Sequence, residues 1–221
     1  MAYTISKSQK DLVASLIQGG VLKTPLIMEA FKAVDRKDFV LQPFADEAYE
    51  NSPISIGHGQ TISQPWTVAF MLELLNPQPG QIILDIGSGS GWTTALLAHA
   101  ATNAKKNPVG RVVGIELVPE LRILGEKNCA KYNFVESGIV EFHCQDGALG
   151  FQAKAPFDRI LCSASLPTRE LPESWKRQLK VGGRIVAPIG NSIFVFDKVN
   201  ENDFIEREYE GFAFVPFVNN K

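Results

Sequence analysis

Short apolar runs rich in β-branched residues alternate with segments of helical length over most of the chain. The predicted strands are Gln81–Ile86, Arg111–Glu116, Ile139–His143, Phe157–Cys162 and Arg184–Ile189. The predicted helices between them are Trp92–Ala101, Pro119–Tyr132 and Arg169–Lys180. This alternation is typical of a parallel sheet with helices on both faces. Ser192–Val199 and Phe204–Phe217 are strand-like and separated only by a polar turn, which predicts that an α/β fold ends in an antiparallel hairpin.

The segment before the first of these strands divides into two parts. Leu12 and Leu16 recur at helical spacing, and Thr24 followed by Pro25 predicts the capped start of a second helix. Residues 45–65 are polar and rich in glycine, and we expect them to form no regular element; a loop this long tends to carry function. We therefore predict one domain over residues 1–221, with a helical cap at 1–44, a substrate and catalytic loop at 45–65, and an α/β core at 66–221.

Composition excludes several classes of protein. The chain has 221 residues, with 22 Lys and Arg against 24 Asp and Glu, so the formal net charge is −2. A chain of this length buries about 70% of its unfolded surface, so it needs no metal or disulfide to be stable. Near-neutral charge without a basic block is evidence against a nucleic-acid partner. No apolar run approaches the ~20 residues of a membrane span, so we expect no membrane association.

The cysteines and the amino terminus predict a reducing compartment. Cys129, Cys144 and Cys162 form no CxxC pair and have no His at metal-ligand spacing, so neither a disulfide framework nor a metal site is indicated. Cys144 and Cys162 lie in apolar strand-like runs, and we expect these two thiols to fill the core, because free cysteine is usually buried. The first residues lack the long apolar core of a secretory signal. The predicted location is therefore the cytoplasm.

A glycine-rich turn follows the first core strand. Asp85-Ile-Gly-Ser-Gly-Ser-Gly91 lies between a strand and a helix, where glycines let a ligand approach the backbone and the helix amino terminus offers free N–H groups. The dinucleotide fingerprint needs a third glycine where Trp92 stands, and no Gly-Lys-Ser/Thr of a phosphate loop follows. The remaining pattern resembles the S-adenosylmethionine loop of Rossmann-like methyltransferases. The resemblance implies that Gly87, Ser88 and Gly89 line the methionine part of that cofactor, with Asp85 beneath it.

Two further acids follow the next two strands. Glu116 ends the second strand beside Leu117, and a carboxylate there can accept hydrogen bonds from both ribose hydroxyls. Asp146-Gly147 follows the third strand, where the methyltransferases place an acid near the adenine amino group. A single acid at such a position is as readily a solvated strand end or a helix cap. Three acids after three consecutive strands, together with the glycines, favour the cofactor site.

The long loop identifies a subgroup. Ala48-Tyr-Glu-Asn-Ser-Pro-Ile-Ser-Ile-Gly-His-Gly-Gln-Thr-Ile-Ser-Gln-Pro65 resembles the signature of the protein-L-isoaspartate (D-aspartate) O-methyltransferase family. Further likenesses lie in Val34–Val40, Ala155–Asp158, Gln178–Arg184, Ala187–Gly190 and Phe214–Phe217. The resemblance implies a monomeric repair enzyme that methylates the α-carboxylate of isoaspartyl residues in peptides and in unfolded or aged proteins, releasing S-adenosyl-L-homocysteine. It also implies that Ser63 is catalytic and that Gln60, Thr61, Ile62 and Ser63 border the cofactor.

The chemistry of methyl transfer fits a serine. Transfer from a sulfonium to a carboxylate is an in-line displacement, and the carboxylate, with a pKa of about 3.5, is already ionised at neutral pH, so no general base is needed. The enzyme must instead align and desolvate that carboxylate, and the hydroxyl of Ser63 can hold it. Position alone also predicts that Ser63 caps the helix after Pro65, a role worth about 1 kcal/mol and compatible with the first.

Other residues and other functions remain open. The family usually has Ala-Ala-Ala-Pro after its fourth core strand, where this chain has Ser163-Ala-Ser-Leu-Pro167 at the edge of the expected substrate cleft. His58 is expected to be a surface or turn residue, and Trp66 and Trp92 to be packing residues that flank the site. One alternative function is methylation of ordinary aspartate in a dedicated peptide. The other is a scaffold that binds the cofactor without turnover.

Overall fold

A computed structural model describes residues 8–102 and 110–218. Residues 1–7, on which the secretory-signal argument rests, lie outside the described residues. The helices within these ranges are α1 (Gln9–Gln18), α2 (Pro25–Ala33), α3 (Pro65–Leu75), α4 (Trp92–Ala101), α5 (Pro119–Ala130) and α6 (Glu173–Gln178). The strands are β1 (Ile54–Gly57), β2 (Gln60–Ile62), β3 (Ile82–Ile86), β4 (Arg111–Glu116), β5 (Val140–Cys144), β6 (Phe157–Cys162), β7 (Leu179–Ile189), β8 (Ser192–Lys198) and β9 (Phe204–Glu210). Short 3-10 helices span Arg36–Phe39, Gln42–Glu47, Gly147–Leu149 and Gln152–Lys154.

In the part of the chain that the structure describes, β3 to β9 form one sheet in the order β5-β4-β3-β6-β7-β8-β9. Strands β3 to β7 are parallel, while β8 and β9 are antiparallel to their neighbours. The chain moves outward from β3 to β5 and then returns to place β6 on the other side of β3. Ligands of open α/β sheets bind outside the carboxyl ends of the strands at such a reversal. The predicted α/β fold, mostly parallel with an antiparallel end, is confirmed.

Strand β3 lies inside the sheet between β4 and β6, and its side chains are mostly apolar on both faces, as buried parallel strands require. Ile83 packs into the core on one face of the sheet, and Leu84 and Ile86 pack into the core on the other. The first core also contains Leu12 and Phe31 of the cap. The helical cap therefore shares one hydrophobic core with the face of the sheet that it covers.

The cap is attached to α3 by the carboxylate of a half-buried glutamate. The carboxylate of Glu73 accepts hydrogen bonds from the N–H groups of Lys23 and Thr24, both at 2.8 Å, and from the hydroxyl of Thr24 at 2.7 Å. Thr24 does precede α2, as predicted, but its side chain does not cap that helix. Its hydroxyl instead connects the cap to the core.

The prediction that residues 45–65 contain no regular element is wrong. Strands β1 and β2 form a small antiparallel hairpin, with Ile54 opposite Ile62 and Gly57 opposite Gln60. The turn between them needs positive φ angles, which His58 (55°) and Gly59 (71°) adopt. The glycines that were expected to prevent a strand pair supply its turn.

Three further local predictions are corrected. The predicted helix Arg169–Lys180 is confined to α6, because Pro172 lacks an N–H and precedes the first turn, and the chain enters β7 at Leu179. The last predicted strand ends at Glu210, because Gly211 has a φ of 97°. Cys162 is buried as expected, but Cys144 is exposed at the carboxyl end of β5.

Strand β9 has one neighbour, β8, so its other side is an edge of the sheet within the described residues. It reads Phe-Ile-Glu-Arg-Glu-Tyr-Glu, and most of its residues are exposed. Ser192 and Arg169 both bind the carboxylate of Glu208, at 2.8 and 2.7 Å. Among the described residues, no helix is both long and apolar enough to cross a membrane.

Candidate active site

The glycine-rich turn after β3 is held against β4. The N–H groups of Gly87 and Ser88 both donate to the carbonyl oxygen of Ile115, at 2.8 and 3.1 Å. Gly87 and Gly89 have φ angles of 75° and 52°, in the region that a side chain disfavours. Helix α4 begins directly after Gly91, whose φ is 87°. The turn therefore places backbone N–H groups and a helix amino terminus together at the carboxyl end of β3.

Glu116 joins this turn to the next strand. One of its carboxylate oxygens accepts from the N–H of Gly89 at 2.9 Å, and the other accepts from the N–H of Val118 at 3.0 Å. The side chain is only 7% exposed. A carboxylate has about four acceptor sites, so Glu116 keeps capacity for ligand hydroxyls after both backbone bonds are made.

A cavity of about 290 Å³ opens over the turn, between the carboxyl ends of β3 and β4 and the β1–β2 hairpin. Ten of the predicted site residues line it: Gln60, Thr61, Ile62, Ser63, Gly87, Ser88, Gly89, Glu116, Leu117 and Gly147. The structure brings these residues together from four separate segments of the chain. Their individual roles in cofactor binding stay predictions.

Asp85 does not line the cavity. It is fully buried beneath the turn, where one carboxylate oxygen accepts from the hydroxyl of Thr94 at 2.6 Å. Its other oxygen has no hydrogen-bond partner among the described residues. The pKa of Asp85 is raised to about 7, chiefly by burial and also by the nearby charge of Glu116, against the lowering effect of the Thr94 hydrogen bond. Asp85 thus supports the turn from below.

Asp146 lies at the end of the segment after β5. Its carboxylate accepts from the N–H of Ala148 at 2.8 Å and so caps the short helix that begins at Gly147. Gly147 lines the cavity, whereas Asp146 is outside the lining. The indole of Trp175 donates to the carbonyl of Gly147 at 2.8 Å and fixes this wall.

Two residues that line the cavity carry buried polar atoms without partners. The hydroxyl oxygen of Ser88 and the indole nitrogen of Trp92 make no hydrogen bond within the described residues, although Ser88 is 5% and Trp92 1% exposed. Both residues line the cavity, together with apolar side chains such as Ile56 and Ile86. A ligand that combines hydroxyl and amine groups with apolar surface fits this donor set, and S-adenosylmethionine is such a molecule.

A second cavity, of about 580 Å³, adjoins the first. Trp66, Phe212 and Phe214 contribute aromatic surface to it. Four residues line both cavities: Thr61, Ser63, Ser163 and Val215. Ser63 therefore lies at the boundary between the first cavity and the second.

Ser63 does not cap α3, so the capping role predicted from its position is wrong. The helix begins at Pro65, and the residue before it is Gln64, which makes no side-chain cap. The first free helical N–H, that of Trp66, is bound instead by the side chain of Asn51 at 2.9 Å. The hydroxyl of Ser63 makes no hydrogen bond to any described residue. It is available to a ligand.

Several residues that line the first cavity were not among the predicted site residues. His58 and Trp92 line the first cavity, although they were expected to be a turn residue and a packing residue. His58 is in fact also the turn residue, with a positive φ. Ser163 and Ala164 belong to the stretch expected at the edge of the substrate cleft, and they form part of the wall of the first cavity. Val215–Val218 also lines this cavity, and most of it belongs to the Phe214–Phe217 stretch that carried a family likeness.

The comparisons with known proteins agree on one family. The model of protein-L-isoaspartate (D-aspartate) O-methyltransferases matches residues 7–221. The chain belongs to this family. A protein-L-isoaspartate O-methyltransferase of Methanopyrus kandleri is 37% identical to it over 96% of this chain and 92% of its own length. One of Staphylothermus marinus is 35% identical over 99% and 97%.

A solved structure extends the likeness to the isoaspartate O-methyltransferase fold. A Plasmodium falciparum protein, described as a candidate protein-L-isoaspartate O-methyltransferase in complex with S-adenosyl-L-homocysteine, matches with a TM-score of 0.85 and 25% identity. The match covers 97% of this chain and 100% of that one. The family resemblance drawn from the residue 48–65 signature is confirmed, and so is the Rossmann-like methyltransferase fold.

Proposed function

We propose that this protein transfers a methyl group from S-adenosylmethionine to the α-carboxylate of L-isoaspartyl residues in peptides and damaged proteins. The observation that carries the proposal is the position of Ser63, which lines both the cavity over the glycine turn and the adjoining groove. A transferase must bring two substrates to one point, and Ser63 marks that point. Family membership assigns the type of reaction.

The cofactor is assigned to the first cavity. Glu116 would bind the ribose hydroxyls, and the backbone of Gly87–Gly89 and the Ser88 hydroxyl would border the methionine part. Leu117 and Gly147 would lie against the adenine, while Gln60, Thr61 and Ile62 would cover the cofactor from the hairpin. Asp85 and Asp146 act indirectly, since Asp85 supports the turn and Asp146 caps the wall that carries Gly147.

The chemistry requires alignment more than acid–base catalysis. S-Adenosylmethionine supplies, when bound, a methyl group on a positively charged sulfonium. Ser63 donates a hydrogen bond to one oxygen of the substrate carboxylate and leaves the other oxygen directed at the first cavity. The apolar walls exclude water from that carboxylate, which raises its reactivity as a nucleophile. No residue has to remove a proton, because the carboxylate is ionised above a pH of about 4.

The substrate peptide is assigned to the second cavity. Trp66, Phe212 and Phe214 offer aromatic contacts that do not depend on one particular sequence, and the groove is open to extended chains. A net charge of −2 exerts little selection by charge on the substrate. Unfolded or aged proteins with exposed isoaspartyl sites are therefore the proposed partners.

The proposal includes the state in which the protein works. We infer a single domain over residues 1–221 that functions as a monomer in the cytoplasm. The support for one domain is that Leu12 and Phe31 of the cap share a core with Ile83 of the sheet. The support for a reducing compartment is that Cys129, Cys144 and Cys162 are free thiols. Light scattering of the purified protein tests the oligomeric state.

The deciding experiment uses two peptides of one sequence, one with isoaspartate and one with aspartate at the same position. The protein is incubated with cofactor labelled on the methyl group, and base-labile methyl ester is counted on each peptide. We expect ester on the isoaspartyl peptide alone. Equal or preferential labelling of the aspartyl peptide would establish the alternative substrate. Cofactor binding by calorimetry without ester on either peptide would establish a scaffold.

A further inference from the structure

Arg36 is a buried cation in the 3-10 helix of the cap. Its side chain is fully buried, and it forms no ion pair with any described carboxylate. Burial lowers the pKa of Arg36 to about 9, so the guanidinium is still charged at neutral pH. A charge in this position is costly to bury unless hydrogen bonds compensate it. The structure must therefore supply partners of another kind.

The partners are backbone carbonyl oxygens of the loop that contains Ser63. One terminal nitrogen of Arg36 donates to the carbonyls of Ala48 and Glu50, at 2.9 and 3.0 Å. The other donates to the carbonyls of Ser52 and Ser63, at 2.9 and 3.2 Å. Guanidinium presents its donors in a fixed planar fork, so it can hold several carbonyls in one arrangement.

These carbonyls belong to the two ends of the β1–β2 hairpin. Residues 48–52 enter β1, and Ser63 follows β2 directly. A single side chain therefore joins the entry of the hairpin to its exit. The same guanidinium lies 5.3 Å from the ring centre of Trp92, which lines the first cavity. Arg36 thus contacts both the backbone of Ser63 and a wall of the cofactor cavity without lining that cavity itself.

We propose that Arg36 is a positioning residue, which fixes the backbone of Ser63 through its carbonyl so that the hydroxyl meets the substrate carboxylate at the boundary of the two cavities. The inference rests on the proposed function for the role of Ser63. It gives the helical cap a part in the reaction, since the cap supplies the cation that holds the loop. Small displacements of a positioned group cost large factors in rate, so the effect is expected in kcat.

The test compares Arg36→Met, Arg36→Lys and a control, Phe39→Leu. Phe39 belongs to the same 3-10 helix and is fully buried, but its ring stacks on Tyr132, away from the loop carbonyls. We expect Arg36→Met to lower kcat for the isoaspartyl peptide about 100-fold, with the cofactor Kd nearly unchanged. Arg36→Lys should recover part of the rate, because one ammonium cannot span carbonyls at both ends of the hairpin. Phe39→Leu should keep most of the wild-type kcat, although it loses about as much thermal stability as Arg36→Met.

A second readout does not depend on activity. Hydrogen exchange of amides in residues 48–63 should be faster in Arg36→Met than in the wild type or Phe39→Leu, while β3 and β4 keep their protection. Unchanged exchange in 48–63, a wild-type kcat in Arg36→Met, or an equal fall in kcat in Phe39→Leu would each overturn the inference. A wild-type protein that methylates neither peptide overturns the proposed function instead, and the exchange experiment still decides whether Arg36 holds the loop.

Discussion

The carboxylate of Glu116 accepts a hydrogen bond from the N–H of Gly89 at 2.9 Å. The bond connects the end of β4 to the glycine turn that follows β3, across the mouth of the cofactor cavity. The hydrogen bond therefore fixes both groups. It holds the N–H of Gly89 in place in the turn, and it holds the carboxylate of Glu116 at the cavity. An acid that serves both the backbone and a ligand cannot be exchanged for its amide without loss.

The first prediction concerns this acid. Glu116→Gln should weaken cofactor binding about 10- to 100-fold, because hydrogen bonds to a charged acceptor are worth about 1.5–3 kcal/mol and an amide nitrogen accepts none. Isothermal titration with S-adenosylmethionine measures the effect. Glu120→Gln is the control, since Glu120 is exposed on the first turn of α5. Equal affinities of Glu116→Gln and the wild type would exclude Glu116 from the cofactor site.

The second prediction separates chemistry from binding. Ser63→Ala should reduce kcat roughly 100-fold, because a positioned donor to the reacting carboxylate is lost, and should leave the cofactor Kd unchanged. Ser165→Ala is the matched control, since the Ser165 hydroxyl donates to the carbonyl of Gly190 and lines neither cavity. Isoaspartyl methylation at a near-normal rate by Ser63→Ala would remove this hydroxyl from the mechanism.

The third prediction follows from the burial of Asp85. Its pKa is about 7 in the folded protein against 3.8 for the free side chain. Between these values the folded state keeps a proton that the unfolded state has released, so the free energy of unfolding falls as the pH rises from about 4 to 7. Asp85→Asn removes this pH-dependent contribution, which is on the order of 4 kcal/mol, and should become more stable relative to the wild type over that range.

Urea unfolding of both proteins at several pH values between 4 and 8 measures this difference. Asp46→Asn serves as the control, because it makes the same substitution at an exposed aspartate. A constant difference between Asp85→Asn and the wild type across the range would show that Asp85 titrates normally in the folded protein.

The fourth prediction tests the close packing under the glycine turn. A β-carbon on Gly91 would lie 2.7 Å from the carbonyl oxygen of Gly125 in α5, and the φ of Gly91 is positive as well. Gly91→Ala should therefore cost about 2–5 kcal/mol, the sum of left-handed strain and overpacking. Gly190→Ala, also at positive φ but with open space around it, should cost only about 1–2 kcal/mol. Thermal unfolding of the two variants measures the difference, and equal losses would show that packing against α5 contributes nothing.

The sheet and the glycine turn could be predicted because their signals are local. The apolar runs predict strands, and the spacing of Gly87, Gly89 and Gly91 predicts the turn, because both patterns depend only on residues that are close together in the chain. The β1–β2 hairpin could not be predicted in this way, because its turn requires a positive φ at His58, a residue that rarely adopts one. The predicted helix Arg169–Lys180 was too long because Pro172 delays the start of α6 to Glu173.

The sequence predicted which residues belong to the site better than it predicted where each of them lies. Asp85 and Glu116 both lie at the ends of core strands, yet one is buried under the turn and the other faces the cavity. The family resemblance implied that Asp85 lies beneath the turn, whereas the spacing of the acids along the chain does not distinguish Asp85 from Glu116. Arg36 gave no signal as a site residue because its partners are backbone carbonyls, which every residue possesses.

The free edge of β9 has a consequence for an enzyme whose proposed substrates are extended, damaged chains. Such chains tend to add themselves to an open sheet edge, and exposed edges without charges are sites of aggregation. In β9, Glu206, Arg207, Glu208 and Glu210 interrupt the apolar positions, so an extended client that paired with this edge would have to bury charges. The charges of β9 thus disfavour pairing between this edge and the extended chains that are the proposed substrates.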